Sequence, residues 1–393
     1  MTIHVRRARG LFRARLRRRP FAILAMAAAM SSAPVTGSES AAPAPRPHFG
    51  NTAEQVQLEL PPGKRLGSVV AVSIAPNGDM FLLHDVVWAL EPIPIGAQLP
   101  PVVHLTADGK FIAAWGGPDQ LPKINGMSQW PVGLDNLEVD ADGNVWVFGY
   151  NEDDDGAAKF TADGKFISQI GARGRHGDIT STDHLNGPVS VFLDKKSREL
   201  FIADGYGNNR VISFHADTGK FLRTWGAYGK EPAPVTPPEK RTYGAALTDL
   251  PPPPPTFDSP VHKIIGTPDG KLYAADRKNN RVQEFERGPN GVQYAREVEL
   301  APGTAGGTAW DINFSPDYKY MYVADAMNMR IWIVDRASFK VLGWSSSAPD
   351  DEGNNNLSAD RSGSHRIAVQ PNGDLLIART TLGLQHIKFT GIR

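Results

Sequence analysis

Cysteine is absent from all 393 residues. That excludes disulfides, zinc–thiolate centres and thiol nucleophiles, and it leaves His, Asp, Glu or backbone oxygen to hold any metal. Long apolar runs are missing too. The most prominent, Phe21 to Met30, is ten residues, too short to cross a bilayer comfortably as a helix. No Gly-rich phosphate loop stands in a strand-to-helix setting, and no GxSxG nucleophile elbow occurs, so a serine hydrolase has no support. The acidic stretch NEDDDG (151–156) lacks the alternating ligands and distal Glu of an EF-hand.

Net charge is also absent, with 42 basic and 42 acidic residues, but the two signs are unevenly placed. Residues 1–40 carry eight Arg and one acid, so the rest holds 34 basic and 41 acidic residues, a balance of −7. A mildly acidic body is a poor partner for nucleic acid. The basic start reads as an export signal: an Arg-rich segment, the short apolar run, then small residues. Arg18-Arg19-Pro20-Phe21 also resembles the twin-arginine motif, and both that route and the general secretory route stay open. The expected layout is a signal and cleavage region at 1–40, a flexible stretch at 41–54, and one domain at 55–393. The expected location is periplasmic or secreted, with no membrane span in the mature chain, as a monomer.

What is abundant is turn chemistry, with 39 Gly and 32 Pro. PNGD (76–79), ADGN (141–144), PDGK (268–271) and PNGD (371–374) supply the glycine that a tight hairpin requires. Between the turns one frame returns: LFIADGYGNNRVISF (200–214), LYAADRKNNRVQEF (272–285) and MYVADAMNMRIWIV (321–334). Six units can be counted, at 64–116, 130–171, 185–226, 257–300, 307–344 and 360–390. Four-stranded units at regular period predict an all-β, six-bladed β-propeller. VQLEL (56–60) is expected to supply the outer strand of the sixth blade. A Pro-rich insertion, 228–256, separates blades three and four and either covers the channel mouth or serves as a solvated linker.

The first strand of each propeller blade lines the central channel, so equivalent positions on different blades converge. Eight residues before the turn glycines Gly143, Gly270 and Gly373 stand Asp135, His262 and His365. They belong to blades two, four and six, which lie about 120° apart in a six-bladed ring. Two imidazoles and a carboxylate suit zinc or another divalent transition metal, and three protein ligands leave a position open. The residue after "AD" varies between repeats and lies on the same rim. There Tyr206 and Arg277 read as a general base and a clamp for a carboxylate.

The repeats resemble NHL repeats, whose small–Asp–x–x–Asn–x–Arg pattern recurs in blades three, four and five. In that pattern Arg210, Arg281 and Arg330 are expected to tie neighbouring strands together by hydrogen bonds. From 55 to 390 the chain also resembles peptidyl-α-hydroxyglycine α-amidating lyase, a zinc propeller that splits a peptidyl-hydroxyglycine into an amide and glyoxylate. The likeness is strongest in IADGYGNNRVISF and AADRKNNRVQEF. It implies Tyr206 as base, Arg277 as an active-site guanidinium, and His262 and His365 as zinc ligands. The chain departs from that pattern where Asp135 replaces a third His, Asp85 an Arg, Gly363 a Met, and Arg366 an Asp that helps hold structural calcium. Two readings follow. One is a metal-dependent lyase acting on a small polar or peptide-derived substrate in the channel. The other is a non-catalytic propeller that binds peptides or proteins.

Overall fold

The computed structural model describes residues 44–86, 89, 91–234, 254–288, 291–347 and 363–393. The export-signal reading of 1–40 and most of the Pro-rich insertion lie outside these residues. Six four-stranded antiparallel sheets follow one another in chain order. Their channel-lining strands are Ser68–Ile74, Leu134–Val139, Pro188–Asp194, Val261–Gly266, Asp311–Phe314 and Ser364–Val369. Helix is confined, among the described residues, to single 3-10 turns at Ile95–Ala97 and Ala227–Gly229. The chain is a six-bladed β-propeller.

Its core is divided among the blade interfaces, with one apolar cluster at each. Trp115, Trp130 and Phe160 fill the seam between blades one and two, with ring centroids 5.0 and 5.8 Å apart. Equivalent clusters centre on Trp146 and Phe214, Trp225 and Phe285, Tyr273 and Phe314, Tyr322 and Ile377, and Leu82 and Leu376. Each buried Leu or Phe contributes roughly 1.5–3 kcal/mol relative to exposure. Because the last cluster joins blade six to blade one, the ring is closed by burial as well as by strand pairing.

The closing strand begins two residues earlier than the sequence indicates. Glu54–Gln55 pairs with His386 and Gln385, and Val56 N–H bonds the Leu384 carbonyl. Val56, Leu58 and Leu60 instead pack into the seam between blades six and one, and Glu59 bridges Lys110 of blade one. Pro47–Phe49 forms a further antiparallel pair with the C-terminal strand Phe389–Ile392. Phe49 anchors it, packed edge-on against Tyr322 and Phe389.

The conserved-looking arginines divide. Arg210 is wholly buried, bonded to Asp204 and to the carbonyls of Ile179, Ser181 and His184. Arg281 binds Asp276, Tyr228 and the carbonyls of Pro254 and Thr256, so one guanidinium pins both described ends of the Pro-rich insertion. Arg330 corrects the expectation of strand-tying hydrogen bonds. Its guanidinium stacks over Trp344 and Trp332, because the Trp332 indole N–H has taken the Asp325 carboxylate that the arginine would otherwise hold.

Candidate metal centre

Five of the six channel-lining strands carry a break in register near their start, with Val70, Asp135, Val189, His262 and His365 as the extra residues. Asp135 lies between Leu134 and Asn136, which pair with Gly149 and Phe148. His262 and His365 occupy the same bulge in blades four and six. A bulge re-aims a side chain and interrupts the alternation of the strand. Here it turns three polar side chains toward the axis. One donor atom from each of Asp135, His262 and His365 lies within 4.8 Å of the others, and all three residues are buried.

The imidazoles are oriented from behind. His365 Nδ1 bonds the Val70 carbonyl at 2.6 Å, and His262 Nδ1 lies 2.5 Å from the Trp310 carbonyl. A backbone carbonyl can only accept, so His365 Nδ1 carries the proton and its Nε2 presents a lone pair. His262 Nδ1 stands between the Trp310 carbonyl and the donor-only Arg366 Nη1, 2.5 Å away. His262 Nε2 is buried with no hydrogen-bond partner among the described residues. His365 Nε2 faces Asp135 Oδ1 at 3.6 Å. Potential ligand atoms of three residues thus converge on one small volume, an arrangement that could hold a cation. Ligands around a single tetrahedral ion with bonds of about 2.0–2.2 Å would be about 3.4 Å apart, a modest contraction from the present spacing. The residues fit a divalent transition metal.

Tyr206 and Arg277 reach the same centre. Tyr206 Oη donates to Asp135 Oδ1 at 3.0 Å, and its ring meets His262 edge-on. Burial, and then the Asp135 charge, push the phenol well above its ordinary pKa, although Arg277 and Arg366 pull the other way. Arg277 stacks on Trp310 with its guanidinium carbon 3.3 Å from the ring centroid, donates from Nε to the Gly306 carbonyl, and interacts electrostatically with Tyr206.

Two participants are not evident in the sequence spacing. Trp310 occupies the equivalent position of blade five, but Tyr318 takes the left-handed turn position there, so no glycine marks the register. Arg366 follows His365 directly and would face away in a regular strand; the bulge brings both side chains to the axis. Its Nη2 bonds Asp135 Oδ2 at 2.8 Å, and its Nη1 bonds the Trp310 carbonyl at 3.0 Å. Burial pushes the Asp135 carboxyl up, but Arg366 and the two imidazoles outweigh it and hold it well below the usual carboxylate range. Burial, and then Arg366, depress His262, which is neutral. A guanidinium therefore stands where the resemblance has a calcium-holding Asp.

The surroundings account for another departure. An added Cβ at Gly363 would lie 2.2 Å from the Ala326 carbonyl oxygen, so no side chain fits there without a backbone shift. Asp85 ends the second strand of blade one and is buried at that rim. The acidic loop is ordered rather than solvated: Asp154 accepts from the backbone N–H groups of Val132 and Gly133 and from Arg173, fixing the approach to Asp135. Beneath the centre Lys263 bridges Glu138 and Asp311. Below that tier the far mouth of the channel is an open cavity of about 420 Å³, lined among others by Ser73, Phe192, Lys263 and Gln370.

The fold is a six-bladed β-propeller, and the similarities found lie with NHL-repeat proteins and amidating lyases. No protein-family model matches the chain. It is similar to human NHL repeat-containing protein 3, at 23% identity over 61% of this chain and 59% of that protein. It is also similar to the Drosophila melanogaster peptidyl-alpha-hydroxyglycine alpha-amidating lyase 2, at 30% over 40% and 38%. The Xenopus laevis peptidyl-glycine alpha-amidating monooxygenase A matches at 28% over 47% of this chain and 18% of that protein. The matches span less than two thirds of each of these relatives. No helix among the described residues is long and apolar enough to cross a membrane.

Proposed function

We propose that the protein is a metal-dependent lyase acting on a peptidyl-hydroxyglycine or similar small carboxylate, cleaving the N–C bond to give an amide and glyoxylate. The observation that carries this reading is the convergence of one potential ligand atom each from Asp135, His262 and His365, with Tyr206 and Arg277 on the same rim. The amidating lyase and monooxygenase among its relatives support it. Zinc or another divalent transition metal is the expected ion, and calcium has no carboxylate at Arg366. The protein is expected to act as an exported monomer, in the periplasm or outside the cell.

Asp135, His262 and His365 would hold a divalent ion, which would supply Lewis acidity toward the substrate hydroxyl. Arg277, fixed by Trp310 and Gly306, binds the substrate carboxylate and offsets developing negative charge. Tyr206 keeps its proton in the protein as folded. The phenol could act as a base only once Asp135 Oδ1 no longer accepts its proton, and Arg277 and Arg366 would then favour its ionised form. Loss of the hydroxyl proton allows the carbon to collapse to the aldehyde of glyoxylate while the amide nitrogen leaves and is protonated.

Purified protein should carry about one transition-metal ion per chain, matching three ligands and one open position. A His262→Ala/His365→Ala variant should carry none. Tyr206→Phe should retain the ion and lose about 10²–10⁴-fold in glyoxylate release. A second reading, a non-catalytic binding propeller, is favoured by the ion pair that already neutralises Asp135 and by acidic Asp85 at the rim. Absence of metal after attempted loading of the wild-type protein would decide for it.

A further inference from the structure

We propose that Arg366 is a positioning residue of the metal centre: it holds one oxygen of Asp135 so that the other serves as a single ligand atom. The inference rests on the metal reading above.

The Arg366 side chain is 1% exposed and forks between two acceptors on different blades, Asp135 Oδ2 at 2.8 Å and the Trp310 carbonyl at 3.0 Å. That carbonyl is also the one that orients His262, whose Nδ1 lies 2.5 Å from Arg366 Nη1. Arg366 thereby ties Asp135 to the Trp310 carbonyl and abuts His262 from behind. The remaining oxygen, Oδ1, is the one that meets Tyr206 Oη and faces His365 Nε2.

Arg366 is not placed to swing away. The Asp135 carboxylate attracts it from the centre, and the buried Lys263 ammonium opposes it from below, where Glu138 and Asp311 already hold that lysine. Two consequences follow for the chemistry. A two-nitrogen, one-oxygen set suits transition metals, whereas calcium prefers many oxygens and carboxylates that bind through both. Asp135 and Arg366 also sum to zero charge, so the protein leaves the charge of a bound dication uncancelled. The field of the ion then falls on an anionic substrate beside Arg277.

Cobalt(II) is the probe, titrated into the full chain and read by its visible absorption. Wild type should bind one ion with the intense bands of a four-coordinate site. Arg366→Met and Arg366→Lys should each bind about 10–100-fold more weakly, with altered bands, as loss of an outer-shell partner typically does. Equal affinity and spectrum in both variants, or tighter binding by Arg366→Met, would show that Arg366 is only a neighbouring charge. Failure of wild type to bind cobalt overturns the metal reading and this inference with it. If the variants do not fold, infrared difference spectra of ¹³C-aspartate-labelled wild type give the answer. Widely separated carboxylate stretches on cobalt loading support one-oxygen binding; closely spaced ones refute it.

Discussion

Blades two, four and six differ from blades one, three and five at a single backbone position. All six channel strands place a residue at the same point near their start, but the even blades put Asp135, His262 and His365 there, and the odd blades Val70, Val189 and Trp310. The odd blades contribute carbonyls instead. His365 of blade six bonds the Val70 carbonyl of blade one, Asn136 of blade two that of Val189 in blade three, and His262 of blade four that of Trp310 in blade five. The next blade's carbonyl meets each candidate imidazole, whereas Asp135 is held by Arg366 of blade six. A repeated fold thus builds a site of three-fold character from units that share a backbone.

The strongest way to break this comparison is to convert an even blade into an odd one. His365→Val should abolish stoichiometric metal, since a structural or catalytic ion needs three protein ligands, and it should leave the Val70 carbonyl without its donor. Val189→Ala, an equally buried change on an odd blade, should keep the ion and cost about 1–2 kcal/mol for the lost methyl groups. Metal analysis and denaturant unfolding of the two proteins check both halves. Retained metal in His365→Val would remove blade six from the centre.

The second contrast sets blade four against blade five at the repeated arginine. Arg281→Ala leaves the buried Asp276 carboxylate without its ion-pair partner, and breaking such a pair costs about 3–5 kcal/mol. Arg330→Ala removes stacking on two indoles and a charge interaction with Asp325 that is not a hydrogen-bonded pair, and should cost roughly 1 kcal/mol. Urea unfolding midpoints measure the difference. Equal losses would mean that blade five uses its arginine as blade four does.

Much of this was legible in the sequence because it is periodic. Turn glycines mark the hairpins, and counting back from Gly143, Gly270 and Gly373 reaches the three ligands, since each turn has the same length and Gly takes a left-handed φ of 85–91°. Legibility fails where the mark is missing or the period breaks. Tyr318 assumes that conformation in blade five, with φ 57°, and so conceals Trp310. Arg366 is hidden because the bulge overrides strand alternation, which only the pairing register reveals. The closing strand is misplaced by two residues because Val56, Leu58 and Leu60 read equally well as a strand and as a seam filler. The electrostatics of Tyr206 depend on burial beside Asp135, and neither neighbour is near it in the chain.

A smaller effect sharpens the comparison within one residue type. His84 of blade one is buried like the two candidate ligands, but both its nitrogens are used by the protein: Nδ1 accepts from Gly67 N–H at 3.1 Å, and Nε2 donates to the Pro100 carbonyl at 3.0 Å. Burial lowers its pKa from 6.5 to about 4, with the Pro100 bond partly opposing the shift. Between those values the unfolded chain binds the proton and the folded one does not. The neutral ring therefore contributes stability that is fully present above pH 6.5 and is lost as pH falls through 4, up to roughly 3 kcal/mol. His84→Gln should flatten that part of the unfolding-versus-pH curve relative to wild type without changing metal content. Added metal should leave the His84 contribution in place, because this imidazole has no lone pair to give. Parallel curves for wild type and His84→Gln across pH 4–6.5 would place the acid sensitivity elsewhere, and loss of metal in His84→Gln would make blade one a contributor to the centre.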